Sequence, residues 1–183
     1  MIGANTSASR AICIADLYGL GGLATSPGML TLAGKIRQLG KNFVVLGPYD
    51  QSQWDQAAED LARRPKSDLI GAVGYSLGAN NVVEIAAELG RPINYIAGIQ
   101  PSYWGLGVDW SGIITLPPNV GFARNIYNPN FAATFGLGYA SYAAPSGFPG
   151  KLQVVTTSDL HPDVDNDAGV HGLILRDLKM VAA

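Results

Sequence analysis

The chain has 183 residues, a length typical of one domain, and its 12 basic and 14 acidic side chains give a formal net charge of −2. Apolar residues make up 48% of it, which excludes a disordered chain, and the small net charge without a Lys/Arg run argues against nucleic acid as a partner. One cysteine and two histidines exclude an internal disulfide and a Cys/His zinc site. We expect neither a metal nor a cofactor.

No apolar stretch approaches the roughly 18 residues that a membrane span needs. The apolar run at residues 11–15 is too short for the apolar region of a signal peptide. We therefore expect a cytoplasmic protein without an integral membrane segment. Cys13 lies in that apolar run and is predicted to be a buried core thiol. The oligomeric state stays open.

Short apolar runs alternate with amphipathic helical patterns from end to end. In chain order they predict a strand at 11–15, a helix from Pro27 that stops at Gly40, a strand at 43–46, a helix at 54–64, a strand at 69–73, a helix that stops at Gly90, strands at 93–99, 120–127 and 152–157, and a helix at 170–181. Ser26 is typical of the N-cap of the first helix. Residues 101–118 and the Gly/Tyr/Ala-rich stretch before residue 152 are expected to be irregular.

The alternation of strands and helices, with strands that are apolar along their whole length, is typical of a parallel sheet covered by helices on both faces. We predict a three-layer α/β/α fold with a mostly parallel sheet of about six strands. No internal repeat and no linker-like tract interrupts the pattern, so residues 1–183 are expected to form a single domain.

Residues 74–78 read Gly-Tyr-Ser-Leu-Gly and match the G-x-S-x-G pattern of a nucleophile elbow. A serine on a tight turn between a strand and a helix needs small residues two positions to each side, because larger side chains would collide with the neighbouring elements. The predicted strand before the motif and the predicted helix after it supply that context. The plainer interpretation is a glycine-rich turn with an idle serine.

The amides at the start of the helix after Ser76 point to where an oxyanion would form, and Leu77 is the first of them. A second donor is expected from Leu20, in the glycine turn after the first strand. The same turn allows another interpretation, because residues 19–24 fit the dinucleotide pattern G-x-G-x-x-A. That pattern requires an acid at the tip of the second strand, where Asp50 lies beyond the turn.

Two residues are candidates for a general base, His161 and His171. His161 follows directly on the last predicted strand, and the carboxyl ends of parallel strands are where sheet-built sites lie. His171 falls inside the closing helix and is expected to be partly exposed. We favour His161 and keep His171 as the alternative.

A histidine base needs an acceptor for its second ring nitrogen. Four carboxylates lie between the serine and His161: Glu84, Glu88, Asp109 and Asp159. The glutamates lie on the helix after the serine, and the last aspartate is two residues from the histidine, so Asp109 is the candidate acid. Its alternative interpretation is a solvated loop carboxylate. If His171 is the base, three more carboxylates are eligible: Asp163, Asp165 and Asp167.

The G-x-S-x-G motif, the glycine turn and the late histidine together resemble the smallest α/β-hydrolases, the cutinase- and lipase-sized serine esterases without a lid domain. Residues 18–22, Tyr-Gly-Leu-Gly-Gly, stand where that family has its His-Gly-x-Gly-Gly oxyanion loop. The resemblance implies an acid after one of two strands. Gln100 stands where pancreatic-type lipases have the acid, and Asn128 stands at the position used by many other members.

Both acid positions therefore carry amides. Gln100 or Asn128 can orient the histidine by accepting a hydrogen bond from its ring N–H, but an amide does not stabilise an imidazolium by charge. Losing that charge costs on the order of 10⁴ in kcat in a serine triad. This departure from the family pattern concerns turnover and leaves the expected fold unchanged.

Three hypotheses follow. The first is a serine-dependent acyl hydrolase that cleaves a small-molecule ester with a small or apolar acyl group, with an apolar pocket built from loop aromatics: Trp104, Trp110, Phe131, Phe135, Tyr139 and Tyr142. The second is a catalytically weak or inactive α/β-hydrolase-like domain that binds a ligand or partner through those loops. The third, a nicotinamide-nucleotide enzyme, rests on residues 19–24 alone.

Overall fold

The computed structural model describes residues 10–20, 22–103, 112–130 and 138–183. Strands and helices alternate from residue 12 to residue 99, the elements described from there to residue 156 are strands, and two helices follow them. The strands are β1 (Ile12–Leu17), β2 (Phe43–Tyr49), β3 (Leu69–Tyr75), β4 (Ile93–Ile99), β5 (Ser102–Tyr103), β6 (Gly112–Thr115), β7 (Val120–Tyr127), β8 (Gly138–Ala143) and β9 (Lys151–Thr156). The α-helices are α1 (Pro27–Arg37), α2 (Trp54–Ala62), α3 (Leu77–Glu88), α4 (His161–Val164) and α5 (Ala168–Ala182).

Six strands form one sheet in the order β2-β1-β3-β4-β7-β9, and every pairing in it is parallel. The predicted parallel sheet of about six strands is confirmed. Because all six strands run the same way, their carboxyl ends meet at one edge, and the turns after β1, β3, β4, β7 and β9 gather there.

Helices cover both faces of this sheet, which confirms the three-layer prediction. Alternate residues of β1 face opposite layers, as the pleat of a strand dictates. Cys13, Ala15 and Leu17 pack in the core shared with α2 and α3. Ile12 and Ile14 pack in the second core, with α1 and α5. The buried state predicted for Cys13 is confirmed, since its side chain is fully enclosed.

The N-terminus of α1 is capped differently from the prediction. Ser26 is the N-cap residue, but its side chain makes no capping hydrogen bond and its Oγ instead accepts from the amide of Gly19 at 3.3 Å. The Oδ2 atom of Asp165 accepts from the amide of Gly28 at 2.8 Å. A carboxylate from the far end of the chain thus satisfies the positive end of α1.

A second, three-stranded sheet has the order β5-β8-β6, so the expectation of irregular structure in these stretches was wrong there. Its strands are short or rich in small residues, and each pairs with a strand distant in sequence. Tyr142 of β8 fills the space above Gly98 of β4, and its hydroxyl donates to the carbonyl of Ala79 in α3. This contact fastens the second sheet to the main one.

A buried ion pair joins α5 to the sheet. The guanidinium of Arg124 in β7 donates two hydrogen bonds to the carboxylate of Asp177, from Nε at 2.8 Å and from Nη2 at 2.7 Å. The hydroxyl of Tyr95 in β4 donates to the same carboxylate at 3.1 Å. All three side chains are buried, so their polar atoms satisfy one another in place of water.

Within the described ranges, no helix combines the length and the apolar composition that crossing a membrane requires.

Candidate active site

Ser76 occupies a sharp turn between β3 and α3, with φ of 57° and ψ of −123°. Two glycines leave the space for this turn. A Cβ atom on Gly74 would lie 2.1 Å from the carbonyl oxygen of Gly78, and a Cβ atom on Gly78 would lie 2.6 Å from the carbonyl oxygen of Tyr18. The spacing of the glycines around the serine therefore reflects contacts with α3 on one side and the end of β1 on the other.

The turn after β1 lies against the serine. A Cβ atom on Gly19 would be 2.8 Å from the Cβ atom of Ser76, so only glycine fits at this position. Leu20 follows, half exposed, and borders the same cavity as Ser76 and Leu77. The structure thus brings both residues predicted to supply oxyanion donors to the side of the serine.

The two groups that a bound dinucleotide would need, an acid near the end of β2 and the free amides at the start of α1, already form hydrogen bonds within the protein. The carboxylate of Asp50 accepts hydrogen bonds from the amide and hydroxyl of Ser52, each at 3.0 Å, and so caps its own turn. The first turn of α1, where a pyrophosphate would bind, is occupied by the carboxylate of Asp165 on Gly28. These contacts disfavour the nicotinamide hypothesis.

His161 is the first residue of α4 and follows the loop after β9. Its Nε2 atom lies 3.0 Å from the Oγ atom of Ser76, across 85 positions of sequence. Burial lowers the pKa of His161 to about 4, so the imidazole is neutral at pH 7 and has one ring nitrogen able to accept a proton. The geometry is that of a hydroxyl beside a base.

His171 lies elsewhere, in α5, and the expectation of a partly exposed side chain was wrong. It is 1% exposed, because it falls one residue after Val170 and three before Ile174, inside the apolar stripe of the helix. Its Nε2 lies 2.6 Å from the carbonyl oxygen of Asp165, and its Nδ1 lies 2.9 Å from Nζ of Lys35. Burial lowers the pKa of His171, and the neutral ring bridges α1 and the segment after α4.

The two amides at the expected acid positions bond to the backbone of neighbouring loops. Gln100, fully buried with φ of 49°, accepts at Oε1 from the amide of Asn128 at 2.9 Å. Asn128 donates from Nδ2 to the carbonyl of Asp159 at 3.0 Å and accepts at Oδ1 from the amide of Asn130 at 2.8 Å. Together they connect the ends of β4 and β7 to the loop that leads to His161.

The other predicted carboxylates are placed as follows. Glu84 and Glu88 lie on α3, and the carboxylate of Asp159 accepts from the hydroxyl of Thr157 at 2.7 Å. Asp163 lies within α4, and Asp167 caps α5 by accepting from the amide of Val170 at 2.7 Å. Asp109 lies outside the described residues, as do four of the predicted pocket aromatics: Trp104, Trp110, Phe131 and Phe135.

A cavity of about 480 Å³ opens beside Ser76. Its described lining is mostly apolar and contains no Asp, Glu, Lys or Arg: Leu20, Ala24, Thr25, Pro27, Tyr75, Ser76, Leu77, Ser102, His161 and Pro162. Such a lining suits an uncharged ligand. Over the described residues, the structure contains no group of three or more His, Cys, Asp or Glu side chains that could hold a metal ion.

Sequence reasoning missed Tyr75, whose ring lies against the imidazole of His161, and Ser102, which borders the cavity from β5. Tyr75 was part of the motif but had no assigned role. Its position next to the serine was the available signal, because a residue adjoining a nucleophile is within one side-chain length of the base. Ser102 lies in a stretch expected to be irregular, so no signal indicated its place.

No protein-family model and no curated protein matches the sequence. The fold is similar to solved structures. A protein of Xanthomonas campestris pv. campestris assigned to the α/β hydrolase superfamily matches with a TM-score of 0.60 and 11% identity, over 93% of this chain and 99% of that one. One of the metagenome-derived lipolytic enzymes LipS and LipT matches with a TM-score of 0.59 and 15% identity, over 94% of each chain.

A serine hydrolase of Xanthomonas campestris described as having no lid matches with a TM-score of 0.55 and 14% identity, over 97% of this chain and 85% of that one. At these identities the likeness establishes the architecture: the chain has an α/β-hydrolase-like fold, and its structural neighbours are hydrolases, esterases and lipases.

Proposed function

We propose that this protein is a serine-dependent acyl hydrolase that cleaves a carboxylic ester with a small or apolar acyl group. The observation that carries the proposal is the 3.0 Å separation between Oγ of Ser76 and Nε2 of His161 at the carboxyl edge of the sheet. The apolar cavity beside this pair supports an uncharged substrate. The fold shared with esterases and lipases agrees with it.

In the proposed reaction, Oγ of Ser76 bonds to the ester carbonyl carbon while Nε2 of His161 takes the hydroxyl proton. The carbonyl oxygen becomes an oxyanion that the amides of Leu77 and Leu20 stabilise. The carbon–oxygen bond to the leaving alcohol then breaks, and His161 returns the proton to that oxygen. Water attacks the acyl-serine, gives its proton to His161, and the carboxylic acid leaves as Ser76 regains a proton.

The proposal is tested by incubating the purified protein with a fluorophosphonate probe and measuring the intact mass. Such probes modify serines that are activated beside an oxyanion hole. We expect one adduct, lost in Ser76→Ala. Ser102→Ala is the matched control because Ser102 lines the same cavity but its hydroxyl donates to the carbonyl of Gln100 at 3.1 Å, so this variant should keep the adduct. No adduct on folded wild-type protein contradicts the proposal.

The same assay distinguishes the roles of the two histidines. His161→Gln is expected to lose the adduct, because it removes the ring 3.0 Å from the serine. His171→Gln is expected to be less stable but still labelled, since His171 bonds to Asp165 and Lys35. Labelling of the His161 variant at the wild-type rate would show that another group activates the serine.

Substrate class is tested with p-nitrophenyl esters of increasing acyl length. We expect saturable hydrolysis that disappears in Ser76→Ala, and a preference for neutral over charged acyl groups, because no charged side chain lines the described part of the cavity.

A catalytically weak or inactive binding domain is the second candidate. It is favoured by Gln100 and Asn128, which hold no charge at the two positions where the resembled family carries its acid. A domain of this kind gives no adduct and no Ser76-dependent turnover, and retains ligand binding in the cavity.

A further inference from the structure

Tyr75 makes two separate contacts with His161. Its ring stacks on the imidazole, with the centroids 4.9 Å apart and the planes at 27°. Its hydroxyl donates to the carbonyl oxygen of His161 at 2.5 Å. The side chain is 3% exposed, so neither contact is exchanged for water. One residue therefore contacts both the ring and the main chain of the histidine.

The position of Tyr75 next to Ser76 in the chain links the placement of the histidine to that of the serine. It is the last residue of β3 and is covalently bonded to Ser76. The rigid backbone that places the serine therefore also places the tyrosine, and through it the histidine. The histidine itself begins a helix of only four residues after a loop, a poor support on its own.

Resting on the proposed function, we propose that Tyr75 is a positioning residue for His161. Stacking sets the plane of the imidazole, and the hydroxyl bond sets the start of α4, so that Nε2 faces Oγ of Ser76. In many serine triads a carboxylate orients the histidine. Here the two positions where the resembled family has that carboxylate hold amides that bond to loop backbone.

The phenol of Tyr75 is a permanent donor in this arrangement. Burial raises its pKa, and the nearby carboxylates of Asp165 and Asp163 raise it further, so the hydroxyl keeps its proton throughout the pH range in which an esterase is assayed. A phenolate would repel the histidine carbonyl oxygen and break the contact.

The test uses two replacements and a matched control. Tyr75→Phe keeps the stacked ring and removes the hydroxyl bond, and Tyr75→Leu removes both. Tyr95→Phe also removes one buried tyrosine hydroxyl, but that hydroxyl bonds to Asp177. The first readout is the second-order rate constant of labelling by the fluorophosphonate probe. We expect a decrease of about threefold to tenfold for Tyr75→Phe, of about 10² for Tyr75→Leu, and no change for Tyr95→Phe.

The second readout does not depend on activity. The imidazole NMR signals of the two histidines are titrated in each variant, with His171 as an internal reference. His161 is expected to titrate far below its ordinary value in the wild type and closer to that value in Tyr75→Leu, because the released ring gains contact with water. His171 should be unchanged, since its partners are Lys35 and Asp165.

The outcomes separate this inference from the proposed function. If the wild type is labelled and both Tyr75 variants match it in rate and in the titration of His161, the positioning role is overturned and the hydrolase proposal stands. If the wild type is not labelled but the titration of His161 responds as expected, Tyr75 positions the histidine in a protein that is no serine hydrolase. A lower thermal stability alone, with both readouts unchanged, also overturns the role.

Discussion

The neutral state of His161 governs how the proposed site should respond to pH. Burial lowers the pKa of this imidazole to about 4, whereas an exposed histidine has a pKa of 6.5. In the proposed reaction the neutral form is the base, and it predominates above the pKa. We therefore predict that kcat/KM for an ester stays level as the pH falls from about 7 to about 5 and declines with a midpoint near 4.

The measurement is a pH–rate profile with far-UV circular dichroism at every point, so that unfolding in acid is separated from protonation. A decline with a midpoint near 6.5 on fully folded protein would contradict the expected burial of the imidazole.

Gly74 and Gly172 should respond in opposite ways to the same replacement. A Cβ atom on Gly74 would lie 2.1 Å from backbone, so Gly74→Ala is expected to lower the free energy of unfolding by about 1–3 kcal/mol or more and to displace Ser76. Gly172 lies in α5 with nothing within 4 Å of such an atom, so Gly172→Ala is expected to stabilise by about 0.5–1 kcal/mol. Urea denaturation measures both. If both variants changed the free energy of unfolding by the same amount and in the same direction, the backbone around Ser76 would be able to move away from the added Cβ atom.

The positions of some individual site residues could be predicted from the sequence, and those of others could not. Ser76 and His161 each follow a recognisable apolar strand, and parallel strands end at one edge, so their meeting was predictable. Asp165 was a different case. It bonds to Gly28 across 137 positions, and no local pattern indicates such a partner. The chemical roles of Ser76 and His161 stay predictions.

The helix α5 is attached to the sheet through the buried group of Arg124, Asp177 and Tyr95. Asp177→Leu leaves the guanidinium buried without its anion, and we predict a loss of about 3–5 kcal/mol in the free energy of unfolding. Replacing all three together by Met, Leu and Phe, in that order, removes the buried charges and should recover most of the loss. Urea denaturation of the single and triple variants measures this, and a triple variant no more stable than the single one would contradict it.

Element prediction succeeded where periodicity was strong. The six strands of the main sheet and the long helices were found, with ends that differ by a few residues, because their apolar patterns reflect burial on one or both faces. The strands β5, β6 and β8 were missed. Two of them span two and four residues, and β8 reads Gly-Tyr-Ala-Ser-Tyr-Ala, which carries no strong alternation. Their pairing is decided by contacts such as that of Tyr142 with α3.

Across the whole molecule, both cores share the same six-stranded sheet. We predict that the chain unfolds as a single cooperative unit, because the two cores lie on opposite faces of one sheet and share its strands. Urea unfolding followed by tryptophan fluorescence and by far-UV circular dichroism should give coincident midpoints. Separate midpoints would show that the second sheet unfolds independently of the main one.

The hydrogen bonds that Asp165 makes with Gly28 and His171 bear on the order in which the site forms during biosynthesis. The loop that carries His161 is held by Gly28, near the beginning, and by His171, near the end, both through Asp165. During translation Ser76 leaves the ribosome well before His161, which lies 85 positions later in the chain. The hydroxyl–imidazole pair therefore forms only after the segment that holds His161, with the contacts of Asp165 to Gly28 and His171, has been synthesised.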